Sequence, residues 1–329
     1  MYQDKDAQYP ILPFPLFSHV IEQGRALGLA GVKLTGGEPL MHPQIGEMLS
    51  CVKDNCLNLM IETNGLLLTN AMAEKIAKCN DPLVSVSLDG VDAITHEKVR
   101  GVAGSFDKAV NGLIHLRDLG VRSQIIMSVM QMNKDQMDPM IRLGESLGVA
   151  SVKFNLIQPI KRGARLHQRK ETLTIEEMVA LGRLVETRFS SRTRLRVDYD
   201  HPMAFRPLGK LFGHAGDGCS ACGILEILGV IPDGAYALCG IGMTLPDMVF
   251  GHAEKDSLES VWTGAAVLNA LRQGMPDRLQ GVCGRCLMRH LCLGGCVAQN
   301  VHAGGHIWHP FWYCDAAYKK GLFPETRLG

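Results

Sequence analysis

The stretch Val32-Lys33-Leu34-Thr35-Gly36-Gly37-Glu38-Pro39 passes from a short strand-like run into two glycines, a carboxylate and a proline. Paired glycines let a backbone approach a ligand closely, Glu38 offers an acceptor to an amine, and Pro39 ends the strand and opens the next crossover. Taken alone, such a turn is an ordinary strand-to-helix connection. Working outward, the alternation repeats. Short apolar runs with strand character occupy residues 32–34, 59–61, 83–88, 124–129 and 151–156. Between them lie helical spacings: Phe17, Val20 and Ile21 with Leu27; Phe106, Val110, Leu113 and Ile114; Met137, Met140, Ile141 and Leu147. Five strands and at least five helices before residue 160 predict an α/β fold with a parallel sheet and right-handed crossovers. The order opens on a helix, whereas a β/α barrel opens on a strand. The expected architecture is therefore a partial, TIM-like barrel whose first strand is missing from this sequence.

The chain has 329 residues, enough for one large domain and a smaller one. With 46% hydrophobic and 20% charged residues it can bury a large core, and a net charge of +1 calls for neither nucleic acid nor an anionic membrane as partner. The opening MYQDKDAQYP is polar and acidic, unlike a signal peptide, and no apolar run is long enough to span a bilayer, so a cytoplasmic location is expected. Residues 161–173 (KRGARLHQRKETL) are basic and poorly periodic and read as a solvated loop. The sharper alternative is that Lys161, Arg162, Arg165, Arg169 and Lys170 grip an acidic peptide. Helical spacing returns over 174–189 through Ile175, Met178, Val179 and Val185. After about residue 206 glycine and cysteine become frequent, the turn Pro232-Asp233-Gly234 appears, and one helix is expected over 257–271. The division is a barrel over 1–205 and a small metal-stapled domain over 206–329, where ligand bonds replace core area.

Eight of the eleven cysteines fall in that second part: Cys219, Cys222, Cys239, Cys283, Cys286, Cys292, Cys296 and Cys314. Four of them read C-x2-C-x5-C-x3-C, and Gly234 stands five residues before Cys239. Eight thiolates match two four-iron clusters at four ligands each. Zinc in all-cysteine sites is the competing ion, and disulfides the competing bond. In a reducing compartment the C-x2-C pairs favour a metal, because thiols one turn apart converge on an ion better than on each other. Cys51, Cys56 and Cys79 lie on or beside barrel helices and read as core packing. His302, His306 and His309, near Trp308 and Trp312, read as loop packing rather than as a metal site.

Two further strand ends carry polar groups, Glu62-Thr63-Asn64-Gly65 and Ser87-Leu88-Asp89-Gly90. Asn-Gly and Asp-Gly are common turns. Three successive strands ending this way nonetheless indicate one pocket, because parallel α/β sheets bind ligands at the carboxyl ends of their strands.

Together these motifs resemble radical S-adenosylmethionine (radical SAM) enzymes with a SPASM/twitch-type auxiliary iron–sulfur domain, of the peptide- or protein-maturase kind. Gly36-Gly37-Glu38-Pro39 is similar to the family's motif for the methionine amino group. Thr63-Asn64-Gly65 and Ser87-x-Asp89-Gly90 resemble its next two strand-end motifs, and Arg100-Gly101 with Gly104-Ser105-Phe106 the segment after them. Gly234-x4-Cys239, the C-x2-C-x5-C-x3-C run and Cys314 resemble the SPASM signature. The resemblance implies a partial (β/α)6 barrel followed by a cysteine-rich iron–sulfur domain. It implies a cofactor pocket of Gly36, Gly37, Glu38, Pro39, Thr63, Asn64, Ser87, Asp89 and Arg100. It also implies two auxiliary [4Fe-4S] clusters in electron transfer, one on Cys219, Cys222, Cys239 and Cys296, the other on Cys283, Cys286, Cys292 and Cys314. The implied activity is modification of a peptide or protein by hydrogen abstraction with a 5′-deoxyadenosyl radical, fed by ferredoxin or flavodoxin. The alternatives are a haem or quinone precursor as substrate, or a non-catalytic iron–sulfur electron carrier.

Two departures qualify this. The family's C-x3-C-x2-C triplet, which holds the SAM-cleaving cluster, does not occur here, so SAM and a third cluster are expected only where that motif is present. The missing strand and missing triplet would both precede Met1, and the expectation is truncation rather than degeneration. Sulfatase-maturing relatives carry an aspartate after the cysteine matched by Cys239; here it is Gly240, which leaves the catalytic acid or base unassigned.

Overall fold

The computed structural model describes residues 10–160, 162–212 and 222–329. It opens with α1 (Phe14–Ala26) and continues β1 (Gly31–Leu34), α2 (Ile45–Asp54), β2 (Asn58–Thr63), α3 (Asn70–Ala77) and β3 (Asn80–Ser87). Then come α4 (Ala93–Arg100), α5 (Ser105–Asp118), β4 (Arg122–Val129), α6 (Met137–Leu147), β5 (Ser151–Leu156), α7 (Arg162–Gln168), α8 (Ile175–Leu184) and β6 (Arg196–Tyr199). The six strands pair in chain order, all parallel, and β1 does not pair with β6. The result is an open, partial (β/α)6 barrel. Alternation sets its two faces. On β4, Ser123, Ile125, Met127 and Val129 are buried, whereas Gln124, Ile126 and Ser128 are half-exposed on the other face.

Local chemistry fixes where the helices start. Thr69 caps α3 by accepting the Met72 amide, and Asp92 caps α4 by accepting the Thr95 amide. At α8, Thr174 and Glu177 form a reciprocal capping box. Glu177 also receives Lys134 at 2.6 Å and Gln131 at 2.6 Å, which ties this helix to the turn after β4.

The sequence reading needs three corrections here. Residues 162–168 form helix α7 rather than loop: the His167 ring bonds the Ile157 carbonyl at 3.1 Å and Thr172 at 2.9 Å, pinning the segment despite Gly163 within it. The expected helix over 257–271 is two, α10 (Leu258–Gly264) and α11 (Ala266–Gly274), divided at the extended Ala265. Strand β6 was not anticipated. Lys161 and residues 213–221, with Cys219 among them, lie outside the described residues.

The remainder contains α9 (Leu208–Phe212), the antiparallel sheet β7 (Gly229–Val230), β8 (Ala235–Ala237) and β9 (Val249–His252), and the helices α10 and α11. It closes with α12 (Gly281–Gly284), α13 (Arg289–Cys292), α14 (Val297–Gly304) and α15 (Trp312–Lys319). This part is clamped to the barrel at its middle and near its C-terminus. Gln23 of α1 accepts the Leu258 amide at 2.7 Å, and Tyr313 and Ala317 of α15 are buried in the barrel's own core. Among the described residues no helix is long and apolar enough to cross a membrane.

Candidate functional site

Side chains join the exit of β1 to that of β2, and the exit of β3 to that of β4. Glu38 is half-buried beyond β1, and its Oε1 accepts the Thr63 hydroxyl at 2.7 Å and the Leu40 amide at 3.1 Å. Its Oε2 accepts the Asn64 amide at 2.7 Å. A carboxylate has about four acceptor sites, so Glu38 retains capacity for an incoming amine. Gly36 has φ +127°, a conformation L side chains rarely adopt, and a Cβ built there meets nothing within 4 Å. Open space thus lies directly over the glycine turn. Below it on the same face, Lys33 pairs with Glu62 at 2.7 Å, and Thr35 donates to Glu62 at 3.1 Å.

At β3, Asp89 is buried. Its Oδ1 accepts the Ser128 amide at 2.7 Å and its Oδ2 meets Arg100 Nε at 2.7 Å. The Asp89 amide donates to His96 Nδ1 at 3.1 Å, so His96 carries its proton on Nε2, which is buried without a partner among the described residues. Burial first, then the Arg100 charge, hold the His96 pKa below its ordinary value, so the ring is neutral. Ser87 and Asn64 are half-exposed. Thr63 and Asp89 are buried and already bonded within the protein: the Thr63 hydroxyl donates to Glu38 and accepts the Gly65 amide at 3.1 Å. Both brace their neighbours, Thr63 against Glu38 and Asp89 against Arg100.

Two supporting residues escaped the sequence reading. Asn133 donates to the carbonyls of Asp89 at 2.9 Å and Ser128 at 3.0 Å, and Gln136 accepts the Val91 amide at 2.9 Å. Both act on a turn some forty residues earlier, and no local pattern marks them.

The described cysteines of the second part fall into two groups. Cys283, Cys286, Cys292 and Cys314 line one cavity with Pro202, Ala204 and Phe323. Cys222 lies near enough to Cys239 and Cys296 to be perturbed by both, and Lys33 acts on it from the barrel. Backbone amides face the sulfurs: Phe311 to Cys283 at 3.3 Å, Met288 to Cys286 at 3.4 Å and Gly242 to Cys239 at 3.2 Å. Burial, then neighbouring sulfurs, push Cys222 and Cys292 up to about 11. Between Cys283 and Cys314, the hydrogen bond they share makes Cys283 the readier thiolate and leaves the proton on Cys314. Thiols raised this way ionise at neutral pH only with a cation bound to them. Among the described residues no three His, Cys, Asp or Glu converge on a point for a single metal ion. Thiols distributed around a cavity wall, with amide donors facing Cys283 and Cys286, fit a cluster that offers one iron to each.

Of the other cysteines, Cys79 is buried and Cys51 half-buried, but Cys56 is exposed, at φ 54°, just past the end of α2, so it packs in no core. His302 lies on α14, bonded to Thr244 at 3.1 Å, rather than in a loop.

The Radical SAM superfamily model matches residues 9–144. Over 321 residues the chain is 27% identical to an AdoMet-dependent heme synthase of Methanosarcina barkeri, covering 92% of this chain and 86% of that protein. It is 25% identical to the mycofactocin maturase MftC of Mycobacterium ulcerans over 310 residues, covering 94% and 81% respectively. The fold is shared with Streptococcus suis SuiB bound to the precursor peptide SuiA, at TM-score 0.73 and 16% identity, over 95% of this chain and 71% of that one.

Proposed function

We propose that this chain, which belongs to the radical SAM superfamily and carries SPASM-like features, modifies a peptide or protein by hydrogen-atom abstraction. The observation that carries the proposal is the combination, in one chain, of an open glycine turn beside Glu38 with a cavity walled by four thiols. When bound beside a reduced four-iron cluster, SAM supplies a 5′-deoxyadenosyl radical that takes a hydrogen atom from the substrate.

The chain's own residues would position that cofactor. Gly36 and Gly37 let it approach, and Pro39 sets the turn. Glu38 accepts from its amino group, and Asn64, Ser87 and Arg100 border its nucleoside and amino-acid parts. Thr63 and Asp89 would border the same pocket while bracing Glu38 and Arg100. Cys219, Cys222, Cys239 and Cys296 would bind one auxiliary [4Fe-4S] cluster and Cys283, Cys286, Cys292 and Cys314 the other, both in electron transfer. Residues 1–205 would thus house the radical chemistry and 206–329 the auxiliary clusters. Ferredoxin or flavodoxin would be the electron donor.

A maturase relative and a structural neighbour crystallised with a precursor peptide support a peptide substrate. The heme synthase relative favours a second reading, a small tetrapyrrole-type precursor. The test is anaerobic reconstitution with iron and sulfide analysis, then SAM cleavage under strong reductant. This chain is compared with a version extended through the genomic reading frame ahead of Met1. About eight irons in the chain itself are expected from the two auxiliary sites. A version carrying the C-x3-C-x2-C triplet should release 5′-deoxyadenosine that takes up deuterium from a labelled peptide. Deuterium uptake from a tetrapyrrole alone selects the second reading. A triplet-bearing version that leaves SAM intact points to an electron carrier, and zinc in place of iron removes the redox scheme.

A further inference from the structure

One wall of the thiol cavity is cationic. Arg289 lines it together with Cys283, Cys286, Cys292 and Cys314. It opens the short helix α13, three residues before Cys292, so both side chains leave the same side of that turn. Its Nη1 donates at 3.0 Å to the carbonyl of Gly284, which stands between Cys283 and Cys286 and so fixes the guanidinium beside both. Its Nε is buried and has no acceptor among the described residues, and no carboxylate there pairs with the guanidinium. The other arginine of this region differs. Arg327 gives its Nε to the Ala204 carbonyl at 3.4 Å and its Nη2 to the Arg206 carbonyl at 3.2 Å. A buried N–H without an acceptor is destabilising, and more so on a cation, so one kept in a cavity walled by four thiols calls for an acceptor that binds there.

We propose that Arg289 sets the reduction potential of the [4Fe-4S] cluster bound by Cys283, Cys286, Cys292 and Cys314, its free Nε–H donating to a sulfur of that cluster. The inference rests on the auxiliary-cluster reading above and concerns the site whose four thiols share one cavity. Each electron taken up adds a negative charge to the cluster. A fixed cation with a free donor favours the more negative state, so Arg289 raises the potential. The Cys286 thiol agrees: burial raises its pKa, and the Met288 amide, then the charges of Arg327 and Arg289, oppose that rise.

The test uses the reconstituted chain, with iron and sulfide counts and an EPR-monitored redox titration of both auxiliary clusters. Arg289→Met keeps an apolar stem and removes the charge and the donors. Arg289→Gln restores a donor without the charge, and Arg289→Lys the charge without Nε. Expected at full iron is a shift of one midpoint to more negative potential, with the second midpoint unmoved. The shift should be largest in Arg289→Met, smaller in Arg289→Gln and smallest in Arg289→Lys. These side chains are similar in length, so packing alone would not rank them this way. Wild-type midpoints in Arg289→Met at full iron, or equal shifts of both midpoints, overturn this inference alone. Where Arg289→Met loses iron, Arg289→Gln and Arg289→Lys decide by the same criterion. Loss of about half the iron in all three assigns Arg289 to cluster assembly and overturns its tuning role. A wild-type chain that takes up zinc, or no iron, overturns the cluster reading and this inference with it.

Discussion

Arg100 Nε stands 2.7 Å from the Asp89 carboxylate, joining the exit of β3 to the last residue of α4 across a helix that carries no other acid–base pair to β3 among the described residues. The carboxylate side chain is 2% exposed and the guanidinium 30%, so the anion depends on its partner far more than the cation does. Asp89→Ala should cost about 3–5 kcal/mol, because it strips the Ser128 amide and Arg100 of a buried partner together. Urea unfolding checks this through the midpoint at constant slope. A loss below about 1 kcal/mol would mean that the pair is merely a surface bridge.

Glu38 accepts three donors from two strand exits, and the amide of Gln cannot do so, since its NH2 would face a hydroxyl or an N–H. Glu38→Gln should destabilise by about 1–3 kcal/mol and weaken SAM binding by about tenfold or more. Equilibrium dialysis of labelled SAM against the reconstituted, triplet-bearing protein provides the reading. Unchanged affinity would remove Glu38 from the cradle.

Strands β1 to β5 are legible because their apolar runs are bounded by turn residues. β6 is not: Arg196-Val197-Asp198-Tyr199 alternates charge with apolar groups, and Arg196 bridges Asp198 at 3.1 Å within the strand. Helix α7 was hidden by its basic charge, which suggested solvation and said nothing of the His167 bonds that pin it. Within the site, glycine and cysteine spacings mark where chemistry sits. They do not reveal that Asp89 braces two further elements, because that depends on Ser128 and Arg100, which arrive from β4 and α4.

Stability should fall in acid through the buried Glu186–His201 pair and the half-exposed Lys210 beside it. Glu186 accepts His201 Nε2 at 2.9 Å and Lys210 at 2.6 Å. Burial alone would raise its carboxyl, but the bonded His201 and Lys210 outweigh that and bring it down to about 2. His201 also lies below its ordinary value, through burial first, and its Nδ1 is buried without a partner among the described residues, as suits a neutral ring. The unfolded chain takes up protons at about 6.5 and 4.5 where the folded chain resists both. The His201 share is therefore full above about pH 6.5 and declines below it, and the Glu186 share, about 3 kcal/mol, is lost between about pH 4.5 and 2. His201→Gln keeps a donor to Glu186 but cannot titrate. It should flatten the decline of the urea midpoint between pH 7 and 5, and a variant with the wild-type slope would assign that decline elsewhere.

Cys314 offers the most direct test of how the thiols share metal. It is buried on α15, bonded to Cys283, and follows Cys296 in sequence although Cys296 belongs to the other group. Under the proposed assignment, ligands that interleave this way would staple the chain across itself, and the metal bonds would supply stability that a small core cannot. Cys314→Ser should lower iron from about eight to about four per chain at once, and the remaining iron should leave faster to a chelator than from wild type. Cys222→Ser should give the mirror result, sparing the cluster on Cys283, Cys286, Cys292 and Cys314. Stripping all metal should expose residues after 222 to limited proteolysis before the barrel, whose apolar core stands without it. Full iron in Cys314→Ser would remove that residue from the ligand set and with it the interleaving.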